Sequence, residues 1–86
     1  DALPGLVDDP AASVRTAAIA ACARLKLEAA APTVAARFDD EDPDVRVASV
    51  TAFSKLRPFE VRTVDRAVAA EDCPWARRRM ELMLRK

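Results

Sequence analysis

The sequence predicts an all-α fold: a right-handed α-α superhelix of about two and a half helix-pair repeats with a period of 31 residues. Three observations point there. Ser-Val-Arg at 13–15 recurs as Asp-Val-Arg at 44–46, and one more step of 31 from Arg46 reaches Arg77. Asp9, Asp40 and Glu71 each stand six residues before one of those arginines. Val14, Val45 and Ala76 immediately precede them, while Pro43 with Pro74 and Leu25 with Leu56 keep the same phase. A fixed period with helical spacing inside it is the mark of stacked repeats.

Each unit reads as two helices, in units of about 1–26, 27–57 and 58–86 of a single domain. In the first unit, Asp1–Asp9 is too short for a full first helix, and Leu3, Leu6 and Val7 are apolar. This suggests a solenoid continuing upstream, with the chain as its C-terminal part. The second helix carries Val14, Ala18, Ala21 and Leu25 at 3–4 spacing, the signature of one buried helix face. In the second unit, Ala30, Val34 and Phe38 share a phase across a shorter helix, and Pro32 is expected to bend or restart it. The helix over 42–56 places Val45, Ala48, Ala52 and Leu56 on one face. Asp42 or Asp44 can cap its start, and Pro43 suits its first turn. In the third unit, Val61, Val64 and Val68 follow Pro58, and the last helix runs through "WARRRMELMLRK". The small residues Ala17, Ala18, Ala20, Ala21, Ala48 and Ala52 are expected to let helices approach closely, with Ile19 and Val50 wedged between units.

Composition excludes several kinds of chemistry. The chain has no histidine, the commonest general base and a common metal ligand, and its single glycine, Gly5, cannot build a phosphate-cradling loop. Cys22 and Cys73 form no CxxC pair and read as reduced thiols of a cytoplasmic protein. No apolar run approaches the length of a membrane span. Acids and bases balance at 14 each, but unevenly. Residues 1–42 hold 8 acids and 4 bases, a net of −4; residues 43–86 hold 6 acids and 10 bases, a net of +4.

These units resemble HEAT repeats, and most closely the short bacterial HEAT-like, armadillo-like units also found in phycobilisome bilin lyases. The family commonly places a proline in the first helix, an aspartate eight residues on, then Val-Arg five and six residues later. The second unit matches throughout with Pro32, Asp40, Val45 and Arg46. The first keeps Asp9, Val14 and Arg15 but has Asp1 in the proline's place, and the third has Thr63, Glu71 and Ala76 before Arg77. The resemblance implies that acid and arginine form a structural ladder along the seam between repeats: Asp9 with Arg15, Asp40 with Arg46, Glu71 with Arg77. Each acid can accept from backbone N–H groups at the next helix start and from arginines of the stacked layers.

The dense acids of "FDDEDPDVR" therefore read as turn and capping chemistry. Counted from Asp39 as a calcium loop, they offer Asp44 and Val50 where Gly and Glu are required. Asp39, Glu41 and Asp42 form a solvated acidic edge, and no metal or cofactor is expected. Met80, Met83 and Leu84 are expected in the core of the last unit, whose charged positions Arg79 and Glu81 replace Ala48 and Val50 and so make it a polar cap. Cys22 reads as an apolar filler.

The function expected is a non-enzymatic scaffold binding another protein or another domain of the parent chain, with Trp75, Arg62, Arg66, Arg78 and Arg79 as candidate contacts. Nucleic-acid binding is the first rival, requiring Arg46, Arg62, Arg66, Arg77 and Arg78 to share one face. A bilin lyase-like subunit is the second, implied by the resemblance alone. The isolated chain is expected to be a monomer or a weak homodimer through its apolar N-terminal edge.

Overall fold

A computed structural model of the chain describes residues 6–84. The expectations on Asp1 and Leu3 lie outside them. Five α-helices lie wholly among the described residues: α1 (Ala12–Arg24), α2 (Ala31–Ala35), α3 (Pro43–Leu56), α4 (Val61–Ala70) and α5 (Pro74–Leu84). Short 3-10 turns at Glu28–Ala30 and Ala36–Asp39 flank α2, and there is no strand among the described residues.

Local chemistry sets these boundaries. Asp42 caps α3 by accepting the Asp44 N–H at 2.8 Å, and Pro43 fills the first turn, where a missing N–H costs nothing. Pro32 stands in the first turn of α2, so the helix restarts behind the 3-10 turn. The helix expected directly behind Pro58 begins later, at Val61. Pro58 and Phe59 instead lie in a turn closed by the Glu60 N–H on the Arg57 carbonyl at 3.1 Å.

The two long second helices end differently, and this corrects one expected core position. After α1, Lys26 takes the left-handed conformation (φ 55°). The Leu27 N–H bonds the Cys22 carbonyl at 3.0 Å and the Lys26 N–H the Ala23 carbonyl at 3.1 Å, the pattern of a Schellman cap. Leu25 is thereby turned out and is 55% exposed, while Leu27 packs against the core. Its counterpart Leu56 remains the last residue of α3 and is buried. There, Pro58 holds Arg57 out of the helical region (φ −132°, ψ 68°), so no left-handed turn forms.

The core is organised around α3, which packs against α1, α2, α4 and α5. Val45, Val47, Val50, Ala52, Phe53 and Leu56 are all buried on it. Ile19 from α1, Val34 from α2 and Met80 from α5 complete the cluster, and Phe38 meets Phe53 edge-to-face with centroids 5.3 Å apart. Ile19 and Val50 are both buried, in keeping with a wedge. Some expected core positions are not buried. Met83 is half exposed, and Val61 is exposed on an α4 that buries only Val64. Ala17 and Ala20 are exposed as well. They line a groove instead of lying between helices, because α1 turns its Ala18, Ile19 and Cys22 side inward.

Truncating Ile19→Ala removes a fully buried side chain and should cost about 2–4 kcal/mol in urea unfolding. The exposed Lys55→Ala should leave the midpoint unchanged.

Candidate functional site

Two arginine–carboxylate rungs cross the seam between successive units. The Arg15 guanidinium reaches Asp40, with Nη2 donating to Oδ1 at 3.0 Å. Its Nε lies 2.9 Å from Oδ2, an ion contact without the alignment of a hydrogen bond. Arg46 grips Glu71 through two parallel bonds, Nε to Oε1 at 2.7 Å and Nη2 to Oε2 at 2.9 Å. Both pairs are 25 residues apart, which is the 31-residue period less the six residues from acid to arginine. Each arginine therefore takes the carboxylate of the following unit. Towards its own unit it donates to main-chain carbonyls: Arg15 Nη1 to those of Asp9 and Pro10, both at 2.9 Å, and Arg46 Nη1 to that of Asp40 at 2.7 Å.

The acids are held just as regularly. Asp9, Asp40 and Glu71 each accept the N–H two residues on, from Ala11 at 2.9 Å, Asp42 at 2.9 Å and Cys73 at 3.0 Å. The Asp40 and Glu71 side chains are nearly fully buried. Burial alone would raise the Asp40 pKa, but the Asp42 N–H together with Arg15 and Arg37 holds it below the usual carboxylate range. For Glu71 the bond from Arg46 is the leading cause of a lowered pKa, outweighing burial. Arg37, which the period does not single out, also approaches Asp40 at 3.5 Å and the exposed Asp8 at 3.8 Å. The remaining members differ. Asp9 receives no arginine side chain on its carboxylate among the described residues, and Arg77 makes only an exposed 4.0 Å contact with Glu81.

Two open depressions flank this seam. The first, about 670 Å³, runs across α1, α3 and α5. It is lined by the small Ala17, Ala20 and Ala48, the apolar Val47 and Met83, and the charged Asp42, Asp44 and Arg79. Thr51 donates to the Met83 sulfur at 3.8 Å, which holds that side chain beside the groove. The second, about 550 Å³, separates the end of the α2 segment from α4 and holds Arg46 and Arg66 among Asp39, Asp40, Glu71 and Asp72.

The candidate contacts scatter. Arg79 reaches the groove and Arg66 the second depression, while the exposed Trp75, Arg62 and Arg78 line neither. Arg46 is spent on Glu71, and Arg77 borders a third depression beside Asp65 and Glu81. Of the five arginines required for nucleic acid, Arg46 and Arg66 line the second depression and Arg77 the third, each of them beside acids. Among the described residues no group of three His, Cys, Asp or Glu could hold a metal ion. Cys22 is fully buried, and burial raises its thiol pKa; Cys73 is partly buried.

The sequence model of the family described as HEAT repeats matches residues 1–85. The chain belongs to the HEAT-repeat family. HEAT repeats generally serve as scaffolds for protein interaction, and the fold is typically non-enzymatic. No curated protein and no solved structure shows significant similarity to the chain. Among the described residues no helix of this HEAT-repeat chain is long and apolar enough to cross a membrane.

The lowered pKa values of Asp40 and Glu71 fix the sign of the acid response. Their contribution is complete above the unfolded carboxylate values, about pH 4–4.5, and is lost as pH falls through the depressed folded values. Urea unfolding from pH 7 to 2 should show that loss, and Asp40→Asn with Glu71→Gln should flatten it. At pH 7, Asp40→Asn alone should lower the urea midpoint, because it removes the counter-charge of the Arg15 guanidinium.

Proposed function

We propose that the chain is a non-enzymatic scaffold that docks a segment of another protein, or of another domain of its parent, in the groove across α1, α3 and α5. The observation that carries this reading is the groove's lining. The small Ala17, Ala20 and Ala48 let a partner's backbone come close, and half-exposed Met83 supplies an adaptable apolar contact. Asp42 and Asp44 in the lining favour a basic residue on the partner, and Arg79 an acidic one. An amphipathic helix laying its apolar face along the groove fits this arrangement. The lining holds no histidine or cysteine, and the rung carboxylates are committed to arginines.

Filling the groove tests the reading. Ala48→Arg should leave the helical circular dichroism unchanged and abolish capture of partners by the immobilised chain. Arg62→Ala, which lies outside the groove, should not affect capture. Capture that survives Ala48→Arg would remove the groove from the reading. A partner that proves to be duplex DNA or RNA, released steeply by salt, would replace the reading with the nucleic-acid alternative.

A further inference from the structure

The rungs set the starts of α1, α3 and α5 side by side, and α3 packs against both α1 and α5. The ends of α1 and α3 therefore share the opposite edge of the array. Charge divides between the two edges. Asp39, Asp42, Asp44 and Asp72 stand at the helix starts. At the ends, Arg24, Lys26, Lys55 and Arg57 are all exposed, against two acids, Glu28 and Glu60. These bases recur one period apart, Arg24 with Lys55 and Lys26 with Arg57. Unlike the rung arginines, they join no units. Among the described residues Arg24, Lys26 and Lys55 make no ion pair, and Arg57 makes only an exposed 3.9 Å contact with Glu60.

Two apolar side chains project among these bases. Leu25, turned out by the Schellman cap, is 55% exposed, and Phe59 is 95% exposed. Phe59 is the third residue of the turn 57–60. Its ends are tied by the 3.1 Å bond from the Glu60 N–H to the Arg57 carbonyl and its second residue is Pro58, so the ring stands on a stiff backbone. Helix dipoles account for bases in a last turn, but not for these apolar side chains. Each turn joins two units that are both present, the first with the second and the second with the third. None of the three depressions described above includes a residue of either turn, so this edge meets a partner by projection.

We propose that this edge docks reversibly on an anionic lipid surface, with Phe59 and Leu25 entering the acyl boundary and the four bases meeting the headgroups. Exposed bases and projecting apolar side chains together favour a membrane. A nucleic acid would take the bases but leave Leu25 in water, and an acidic peptide would find no groove here. The contact needs no spanning helix. It rests on few charges and two side chains, so it is weak and is released by salt. It is independent of what occupies the groove.

Flotation of the 86-residue chain with vesicles tests it. In low salt the chain should float with phosphatidylcholine vesicles containing about 30% phosphatidylserine, and stay behind with phosphatidylcholine alone. About 0.5 M salt should release it, since charges are then screened within a few ångströms. Lys26→Glu combined with Arg57→Glu should abolish flotation. Phe59→Ser should lower the partition about tenfold, because a phenyl ring is no longer buried. Neither change should alter the helical circular dichroism, as all three residues are exposed. With brominated acyl chains, the fluorescence of a Phe59→Trp, Trp75→Phe variant should be quenched. That of native Trp75, which stands at the start of α5 on the opposite edge, should not. No flotation in low salt, equal flotation on phosphatidylcholine alone, flotation that survives Phe59→Ser, or quenching of Trp75 but not of the Phe59→Trp variant would each overturn the proposal. So would tighter binding to polyglutamate or to an oligonucleotide than to the vesicles.

Discussion

The fold depends on satisfying a buried carboxylate at each turn between units. An acid there takes the next helix start's N–H in place of water, but that alone leaves a charge in a site closed to solvent. The arginine of the preceding unit supplies the counter-charge, and the same guanidinium donates hydrogen bonds to carbonyls of its own turn. One side chain thus ties the turn of its unit to the turn of the next. The two rungs are not chemically alike. Arg46 meets Glu71 through a two-bond fork, whereas Arg15 makes one aligned bond to Asp40 and is helped by Arg37. Glutamate's additional methylene gives its carboxylate the reach for the parallel approach.

The groove follows from the same stacking. With the rungs fixing the spacing of the second helices, α1, α3 and α5 form a side-by-side array whose small residues open a groove between them. Of the arginines weighed for a partner, Arg46 is held in a rung, whereas Arg66 and Arg79 line depressions. In a repeat protein, a recurring charged residue is first a candidate for the joint between repeats, and the singular residues are better candidates for function. Met83 and Arg79 illustrate this, since their counterparts one period earlier are Ala52 and Ala48.

Much of the architecture was legible because the period is expressed in residues with strong local meaning. Pro43 and Asp42 start α3, Pro32 restarts α2, and Ile19 and Val50 repeat in phase. The period also singled out the acids and arginines of the rungs. The expected pairs, Asp9 with Arg15, Asp40 with Arg46 and Glu71 with Arg77, were wrong in partner: Arg15 and Arg46 take the next unit's carboxylate, because the choice depends on how far the stacking brings the units together. Leu25 was misread because its helix closes on a left-handed lysine, and a turn of that kind is usually announced by Gly or Asn. Met83 was misread because helical spacing alone cannot say where a last helix ceases to have a neighbour. Arg37 had no periodic signal, as its counterpart one period later is Val68.

The position of α3 bears on how the molecule comes apart. Long repeat arrays can lose units one at a time, because each touches only its neighbours. Here every other helix leans on α3, so neither end can open without baring part of it, and a fragment lacking α3 would keep almost none of the core. Two-state unfolding is therefore expected despite the modular sequence. A substitution in the middle unit would be felt at both ends of the chain.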